Sequence, residues 1–291
     1  MTRLRIILIT FLSLLAFAAN SLITRFALQE TSIDEASFIM LRVVSGALFL
    51  WLYLSCKKNN RAYKAGTWLA AFSLFIYAVS FTYGYGLIAA GTGALLLFGS
   101  VQITMTIAGY REGERLNVIQ ITGFVLALIG LVILMLPGIS SPSIMGALLM
   151  CISGVAWSIY TLQGRGASSP AASTAGNFIK AAPMAILLWV IIYLSTNNII
   201  NLASDGVIYA LLSGIFTSGI GYIIWYSVLP ELKATQAAIV QLSVPLLVTL
   251  SGALLLNETI TLRVVFASAA ILLGTVLVLT FKKNKQKPIK L

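Results

Sequence analysis

The sequence predicts an all-α polytopic membrane protein with ten transmembrane helices, arranged as two inverted repeats of five helices each. Hydrophobic residues make up 59% of the 291 positions and charged residues only 9%, whereas soluble domains carry about 25% charged residues. Apolar stretches of about 20 residues, the length that spans a bilayer as a helix, recur along the chain. So few charges cannot cover the surface of a soluble domain, which excludes a water-soluble enzyme.

Ten apolar segments are separated by short polar or Gly- and Pro-containing spacers, so no separate soluble domain is expected. Each segment can satisfy its backbone hydrogen bonds as a helix across about 30 Å of hydrocarbon. The segments lie at approximately 6–26, 35–55, 67–87, 89–109, 117–136, 144–163, 174–194, 206–228, 235–256 and 261–281. For the first segment an alternative stays open, because Arg3, Arg5 and the small residues at 16–18 also fit a cleavable signal peptide.

Basic residues indicate the orientation of the chain, because cytoplasmic loops of membrane proteins are enriched in Lys and Arg. With a cytoplasmic amino terminus, fifteen of the 19 basic residues lie in inner loops and in the tail at 282–291, against only Arg25 and Arg263 outside. The sequence therefore predicts a multi-pass protein of the inner membrane with both termini in the cytoplasm. This topology signal accounts for the net charge of +11, so no nucleic-acid partner is expected.

The two halves of the chain resemble each other, which gives a first repeat at 1–137, a second at 138–281 and the basic tail after them. An offset of 143 residues aligns polar and glycine positions of the halves. The pairs include Thr92 with Thr235, Ser100 with Ser243, Thr106 with Thr249, Gly109 with Gly252 and, after a one-residue gap, Glu114 with Glu258. Because five is odd, the second unit enters the membrane from the opposite face. Such inverted repeats are typical of alternating-access carriers.

Two stretches of the chain resemble the drug/metabolite transporter superfamily, and in particular its EamA-type members with ten helices in two repeats. They are Ala90-Gly91-Thr92-Gly93-Ala94-Leu95-Leu96 leading to Gly113-Glu114-Arg115-Leu116, and Ser243-Val244-Pro245 leading to Leu256-Asn257-Glu258-Thr259. The resemblance implies a secondary transporter, with exported amino acids or related compounds as the leading substrate class. Gln102 stands where the second repeat has Pro245, so we expect an unbroken helix there with an added hydrogen-bonding group.

Polar and aromatic side chains within the segments are the candidate substrate-binding residues, because facing lipid is costly for polar groups. An aromatic wall with a few amides suits a small, partly apolar, zwitterionic or neutral metabolite. The candidates are Asn20, Tyr77, Phe98, Gln102, Trp157, Tyr160, Trp225 and Gln241. Structural explanations stay open: interhelical hydrogen bonds of about 1 kcal/mol each for the amides, and an interfacial aromatic belt or packing for the rings.

Arg42 and Lys180 are the two basic residues well inside the predicted segments. They are equivalent in the two repeats and lie about 10 Å below opposite surfaces, at a rise of 1.5 Å per residue. Each could reach the nearest interface by snorkelling, or could bind an anion or act in gating. The second option gives an alternative function, in which the two cations hold a phosphorylated or carboxylated organic anion.

The sequence contains no pattern for catalysis, a metal site or a cofactor, so a transporter rather than an enzyme is expected. Histidine is absent, no Asp or Glu lies in the middle of a segment, and Cys56 and Cys151 lack metal-ligand spacing. Glu114 and Glu258, at equivalent segment ends, are expected to cap helices or anchor gates. The expected partners are a small-molecule substrate and the lipid bilayer, with no obligate protein partner.

Overall fold

Helices are the only regular secondary structure in residues 1–56, 64–113, 117–135, 142–196 and 200–280, which are the residues that the computed structural model describes. They are α1 (Arg3–Glu30), α2 (Glu35–Cys56), α3 (Trp68–Leu87), α4 (Ala90–Arg111), α5 (Val118–Met135), α6 (Ile144–Gly164), α7 (Pro170–Ser195), α8 (Ser204–Glu231), α9 (Ala234–Leu255) and α10 (Leu262–Thr280). Within these ranges, eight helices are long and apolar enough to span a membrane, and α5 and α10 contain shorter apolar stretches.

The predicted all-α fold with ten membrane helices is therefore confirmed. The boundary between the repeats at 137 and 138, and the tail at 282–291, lie outside the described residues. The domain limits that the sequence suggests thus stay predictions.

The packing of the helices is nearly unchanged when the two repeats are exchanged. α2 packs against α7, α4 against α9 and α5 against α10, and each of these pairs joins equivalent helices of the two repeats. In the repeats α1 is equivalent to α6, α3 to α8 and α4 to α9. The contact of α3 with α6 therefore corresponds to that of α8 with α1, and the contact of α4 with α6 corresponds to that of α9 with α1. Each repeat therefore completes its packing with helices of the other, and the buried centre is shared.

Short polar side chains begin several helices, because the first amide groups of a helix have no partner within it. Thr67 before α3 and Ser143 before α6 each accept a hydrogen bond from the amide three residues further on. Ser169 caps α7 in the same way, and Pro170 follows in the first turn, where the missing N–H of proline costs nothing. These caps fix the points at which the helices begin.

Two helices of the second repeat depart from regular α-helix near their middles. α8 passes through a π-helical stretch, Ser213–Ile220, a rare conformation that is frequent at functional sites. α9 is interrupted at Gln241, four residues before Pro245, which has no N–H to donate to the carbonyl of Gln241. The equivalent helix α4 is continuous across Gln102, as the glutamine in place of proline predicts.

On the face opposite the amino terminus, Glu258 joins the two repeats. Its two carboxylate oxygens lie 2.9 and 2.8 Å from the amide nitrogen of Ala90, the first residue of α4, and Arg25 of α1 donates to it from Nε at 3.1 Å. Arg25 also donates from Nη1 to the carbonyl oxygen of Tyr85 at 2.7 Å. Glu258 therefore caps a helix, as expected, whereas the equivalent Glu114 lies outside the described residues.

The amino-terminal face carries an ion pair between Arg165, after α6, and Glu112, after α4, with a nitrogen–oxygen distance of 2.7 Å. By the repeat, α6 corresponds to α1, and the α4–α5 connection corresponds to the α9–α10 connection. The pair therefore joins the corresponding elements of the two repeats at the other face, although the repeat equivalent of Glu258 is Glu114 and not Glu112. Contacts between the repeats thus join them at both faces of the protein.

Gly214 allows α8 to approach α2 closely. A Cβ atom on Gly214 would overlap the Ser45 hydroxyl oxygen and the backbone carbonyl oxygen of Arg42. Small residues at such crossings are what lets two membrane helices bring their backbones together. The contact holds the π-helical stretch of α8 against the turn of α2 that carries Arg42.

Replacing Gly214 by Ala is expected to lower the free energy of unfolding by about 1–3 kcal/mol, the usual cost of overpacking a tight contact. The midpoint of thermal unfolding in detergent measures this effect. Gly166→Ala is the matched control, because Gly166 is exposed and an added Cβ would meet nothing within 4 Å. Equal midpoints for the two variants would contradict the close contact between α2 and α8.

Candidate functional site

Asn20 of α1 is the centre of a buried hydrogen-bond network that joins the two repeats. Its Nδ2 donates to the hydroxyl of Tyr77 in α3 at 3.2 Å. Its Oδ1 accepts hydrogen bonds from the hydroxyls of Ser213 at 2.7 Å and Thr217 at 2.9 Å, both in the π-helical stretch of α8. Because Asn20 is only 1% exposed, these protein groups take the place of water as its partners.

Trp157 of α6 occupies the position equivalent to Asn20 in the second repeat. Its Nε1 donates to Oε1 of Gln241 at 2.6 Å, and Gln241 is the residue at which α9 is interrupted. The side-chain Nε2 of Gln241 donates to the backbone carbonyl oxygen of Ala237 at 2.8 Å. The indole ring packs on Tyr77, with centroids 4.9 Å apart. A chain of contacts therefore runs from Asn20 through Tyr77 and Trp157 to Gln241.

Four further buried rings pack around this chain and, together with Tyr77 and Trp157, form what we call the central aromatic cluster. Its members are Phe17, Tyr77, Trp157, Tyr160, Tyr222 and Trp225. Around Trp157, the ring centroids lie 5.1 Å away for Phe17, 5.4 Å for Tyr160 and 4.8 Å for Tyr222. Trp225 joins the cluster through Phe17 at 5.5 Å. The rings pack directly on one another and fill the space between the two repeats.

Arg42 of α2 points into this region and is 1% exposed, so it does not snorkel to an interface. Its Nε donates to the hydroxyl of Ser218 at 3.1 Å, and its Nη2 donates to the hydroxyl of Tyr222 at 2.9 Å. The guanidinium carbon lies 5.4 Å from the ring centroid of Tyr77 and 5.1 Å from that of Phe81, within the range of cation–π attraction. The buried Nη1 has no hydrogen-bond partner among the described residues.

Acidic side chains do not neutralise this buried cation in the described part of the chain. Over those residues, the ion pairs are the two described above and the pair of the amino terminus with Glu231. None of the seven described Asp and Glu residues is buried. All the partners of the Arg42 guanidinium that the structure describes are therefore neutral hydroxyls and ring faces.

The structure brings together six of the eight predicted binding residues and separates two. Asn20, Tyr77, Trp157, Tyr160, Trp225 and Gln241 belong to the network or to the central aromatic cluster. Phe98 and Gln102 are buried on α4, but over the described residues no hydrogen bond or ring contact joins either to the cluster. Gln102 donates to Thr106 of its own helix at 3.3 Å, and its Oε1 has no described partner.

Lys180 has surroundings different from those of its repeat partner Arg42. Its ammonium group donates hydrogen bonds to the carbonyl oxygens of Ala65 and Gly66, in the connection between α2 and α3. It is partly exposed. Arg42 and Lys180 therefore occupy corresponding positions in the repeats but have different surroundings. Lys180 binds backbone carbonyl groups near the amino-terminal face.

Sequence reasoning missed several residues that complete the site. They are Phe17, Phe81, Ser213, Thr217 and Ser218. Ser213, Thr217 and Ser218 form a polar run with glycines inside an apolar segment, and this pattern was the available signal. Serine and threonine hydroxyls usually bond their own helix backbone, so such a run is weak evidence for a site.

The two halves of the chain each match one known protein family. Residues 4–136 and 144–280 each match the EamA-like transporter family. The chain belongs to the EamA-like transporter family. The resemblance noted in the sequence is thereby confirmed, and the two matched stretches correspond to the two halves seen in the fold.

Relatives match the chain over 72% to 94% of its length. An uncharacterized protein of Pseudomonas aeruginosa is 50% identical over 275 residues, 94% of each chain. Uncharacterized transporters of Archaeoglobus fulgidus and Clostridium kluyveri are 28% and 25% identical; the matches cover 72% and 89% of this chain and 75% and 87% of theirs. A crystal structure with 18% identity shares the fold, with a TM-score of 0.67, over 94% of this chain and 96% of that one. The protein is thus a membrane transporter.

Replacing Gln241 by Leu is expected to lower the free energy of unfolding by about 1–3 kcal/mol, because the buried indole N–H of Trp157 loses its acceptor. Gln102→Leu is the matched control: it is an equally buried glutamine whose Oε1 has no described partner. We expect the free energy of unfolding of the Gln102→Leu variant to be unchanged or raised. Thermal unfolding followed by tryptophan fluorescence distinguishes the two, and equal destabilisation would contradict the role assigned to the Trp157–Gln241 hydrogen bond.

Proposed function

We propose that the protein is a secondary transporter of the inner membrane that exports small metabolites, with amino acids or related compounds as the leading class, by alternating access. The observation that carries the proposal is the buried centre, which takes Asn20 and Tyr77 from one repeat and Trp157, Tyr222 and Gln241 from the other. In transporters built from inverted repeats, the substrate site lies at the interface of the repeats near the midplane. The protein acts by binding and moving its substrate, without a catalytic step.

Alternating access requires contacts that can open at one face while they close at the other. The Arg25–Glu258 and Arg165–Glu112 pairs bridge the repeats on opposite faces, and they join corresponding elements of the two repeats. Breaking one pair would open the centre toward one side and leave the other side closed. The π-helical stretch of α8, which binds both Asn20 and Arg42, is a suitable place for the accompanying rearrangement.

The orientation of the protein in the membrane is part of the proposal. Both termini lie in the cytoplasm, because this orientation leaves fifteen basic residues inside and two outside. In that orientation, the Arg25–Glu258 pair faces outward and the Arg165–Glu112 pair faces the cytoplasm.

The alternative is a carrier of a phosphorylated or carboxylated organic anion that is held by Arg42 and Lys180 together. The unpartnered Nη1 of Arg42 favours an anion, but Lys180 is engaged with the carbonyl oxygens of Ala65 and Gly66. This alternative requires that Arg42→Gln and Lys180→Gln each abolish anion transport in proteoliposomes. Full transport by the Lys180→Gln variant would exclude it.

The proposed function is tested by efflux of radiolabelled amino acids from cells that overproduce the protein. Efflux of at least one compound should rise above that of cells without the gene. At equal amounts of protein in the membrane, Trp157→Ala and Asn20→Ala should lower this efflux at least about tenfold, because each removes a central binding or network group. Trp51→Ala is the control, since Trp51 is a tryptophan with 49% exposure on the outside of α2.

Two outcomes would count against the proposal. Absence of efflux across a broad panel of amino acids and related compounds would argue against the substrate class. Equal efflux from the Trp157→Ala and Trp51→Ala variants would show that the central aromatic cluster is not the transport site.

A further inference from the structure

We infer that Arg42 is the anchor for a carboxylate of the substrate, and that the preferred substrate is a monocarboxylate with an apolar or aromatic body. This inference rests on the proposed secondary transport at the same site, and it narrows the substrate from amino acids or related compounds to the related carboxylic acids. It favours the carboxylic acid over the amino acid that has the same side chain. The unpartnered Nη1 at the buried centre is the observation that leads to it.

A buried guanidinium without a counter-charge is an incomplete electrostatic arrangement. Arginine keeps its proton at every physiological pH, so Arg42 cannot become neutral on burial. Its partners Ser218 and Tyr222 supply hydroxyl oxygens, and Tyr77 and Phe81 supply ring faces, but none of these carries a formal negative charge. In the described residues no carboxylate is buried with it. An anionic ligand would therefore complete this site, because buried charges are stable when they are paired.

The remaining donor atom specifies how the anion binds. Nε and Nη2 are already engaged by the two hydroxyls of α8, and Nη1 is left with its N–H groups unused. A carboxylate oxygen is a suitable acceptor, since hydrogen bonds between ionised groups are about twice as strong as neutral ones. A phosphate dianion would leave a net negative charge beside a single cation, so a monoanion fits the site better.

The surroundings of Arg42 specify the rest of the molecule. The nearest groups are the rings of Tyr77, Phe81 and Tyr222, which offer contact to an apolar or aromatic body. An amino acid would add an ammonium group next to the fixed guanidinium, with no buried carboxylate among the described residues to receive it. A monocarboxylate instead makes the loaded site electrically neutral, which lowers the cost of moving it through the membrane.

Ligand-induced stabilisation of the purified full-length protein in detergent tests the inference with three probes that share one body. The probes are 3-phenylpropionate, its neutral amide 3-phenylpropionamide, and phenylalanine, which is the same acid with an ammonium group added. From the shift of the unfolding midpoint with concentration, we expect 3-phenylpropionate to bind at least about tenfold more tightly than either of the other two. This comparison uses the unaltered protein and does not depend on the folding of a variant.

Variants then connect the effect to Arg42. Arg42→Gln should remove the preference for 3-phenylpropionate over its amide, and Arg42→Lys should keep part of it, because the charge is retained while the fork of donors is lost. Arg111→Gln is the control, since Arg111 is an exposed arginine at the end of α4. Its preference should equal that of the unaltered protein.

Each contrary result would overturn the inference, or its assignment to Arg42, without deciding whether the proposed function is correct. Tighter binding of phenylalanine than of 3-phenylpropionate would overturn the inference and leave amino acid export standing. An unchanged preference in Arg42→Gln would overturn the assignment of the anchor. Stabilisation by none of the probes would overturn the inference too, and the efflux experiment would decide separately whether the protein exports amino acids.

Discussion

The buried charge of Arg42 is the constraint on which the centre of this protein depends. Within hydrocarbon, polar groups must find their partners inside the protein, and a guanidinium has five N–H donors to satisfy. The π-helical stretch of α8 and the turn after it supply Ser218 and Tyr222, and Gly214 lets α8 come close enough to α2. The irregular helix, the small residue and the polar hydroxyls thus serve one electrostatic requirement.

The scaffold is symmetric, whereas its centre is not. Exchange of the repeats leaves the helix packing nearly unchanged, and the proposed alternation of openings between the two faces requires such a symmetric scaffold. At the centre, Asn20 corresponds to Trp157, and in the paired helices α4 and α9 Gln102 corresponds to Pro245. The cation Arg42 is buried, while its counterpart Lys180 contacts backbone carbonyls. The two halves of the protein therefore share their helix packing but differ in the side chains that they bring to the centre.

The fold was predictable from the sequence, because apolar segment length and the offset between halves report directly on spanning helices and on inverted repeats. The site was predictable only in part. Burial of Arg42, as opposed to snorkelling, depends on Gly214 and Tyr222 of a distant helix, and no local pattern encodes that contact. The role of Ser218 cannot be predicted from its residue type, because hydroxyl side chains are common in membrane helices. The π-helical stretch that orients Ser218 has no sequence signature. Phe98 is aromatic and buried, as a member of the cluster would be, but its position on α4 does not bring its ring into contact with the cluster.

Reciprocal opening of the two faces is the central claim, and distances between paired spin labels measure it most directly. Labels on Gln29 and Asn257 report on the face opposite the amino terminus, and labels on Arg111 and Gly166 report on the amino-terminal face; all four positions are exposed. When a transported substrate is added, we predict that one distance lengthens while the other shortens. Two distances that lengthen together, or that both stay unchanged during active transport, would contradict alternating access about a shared centre.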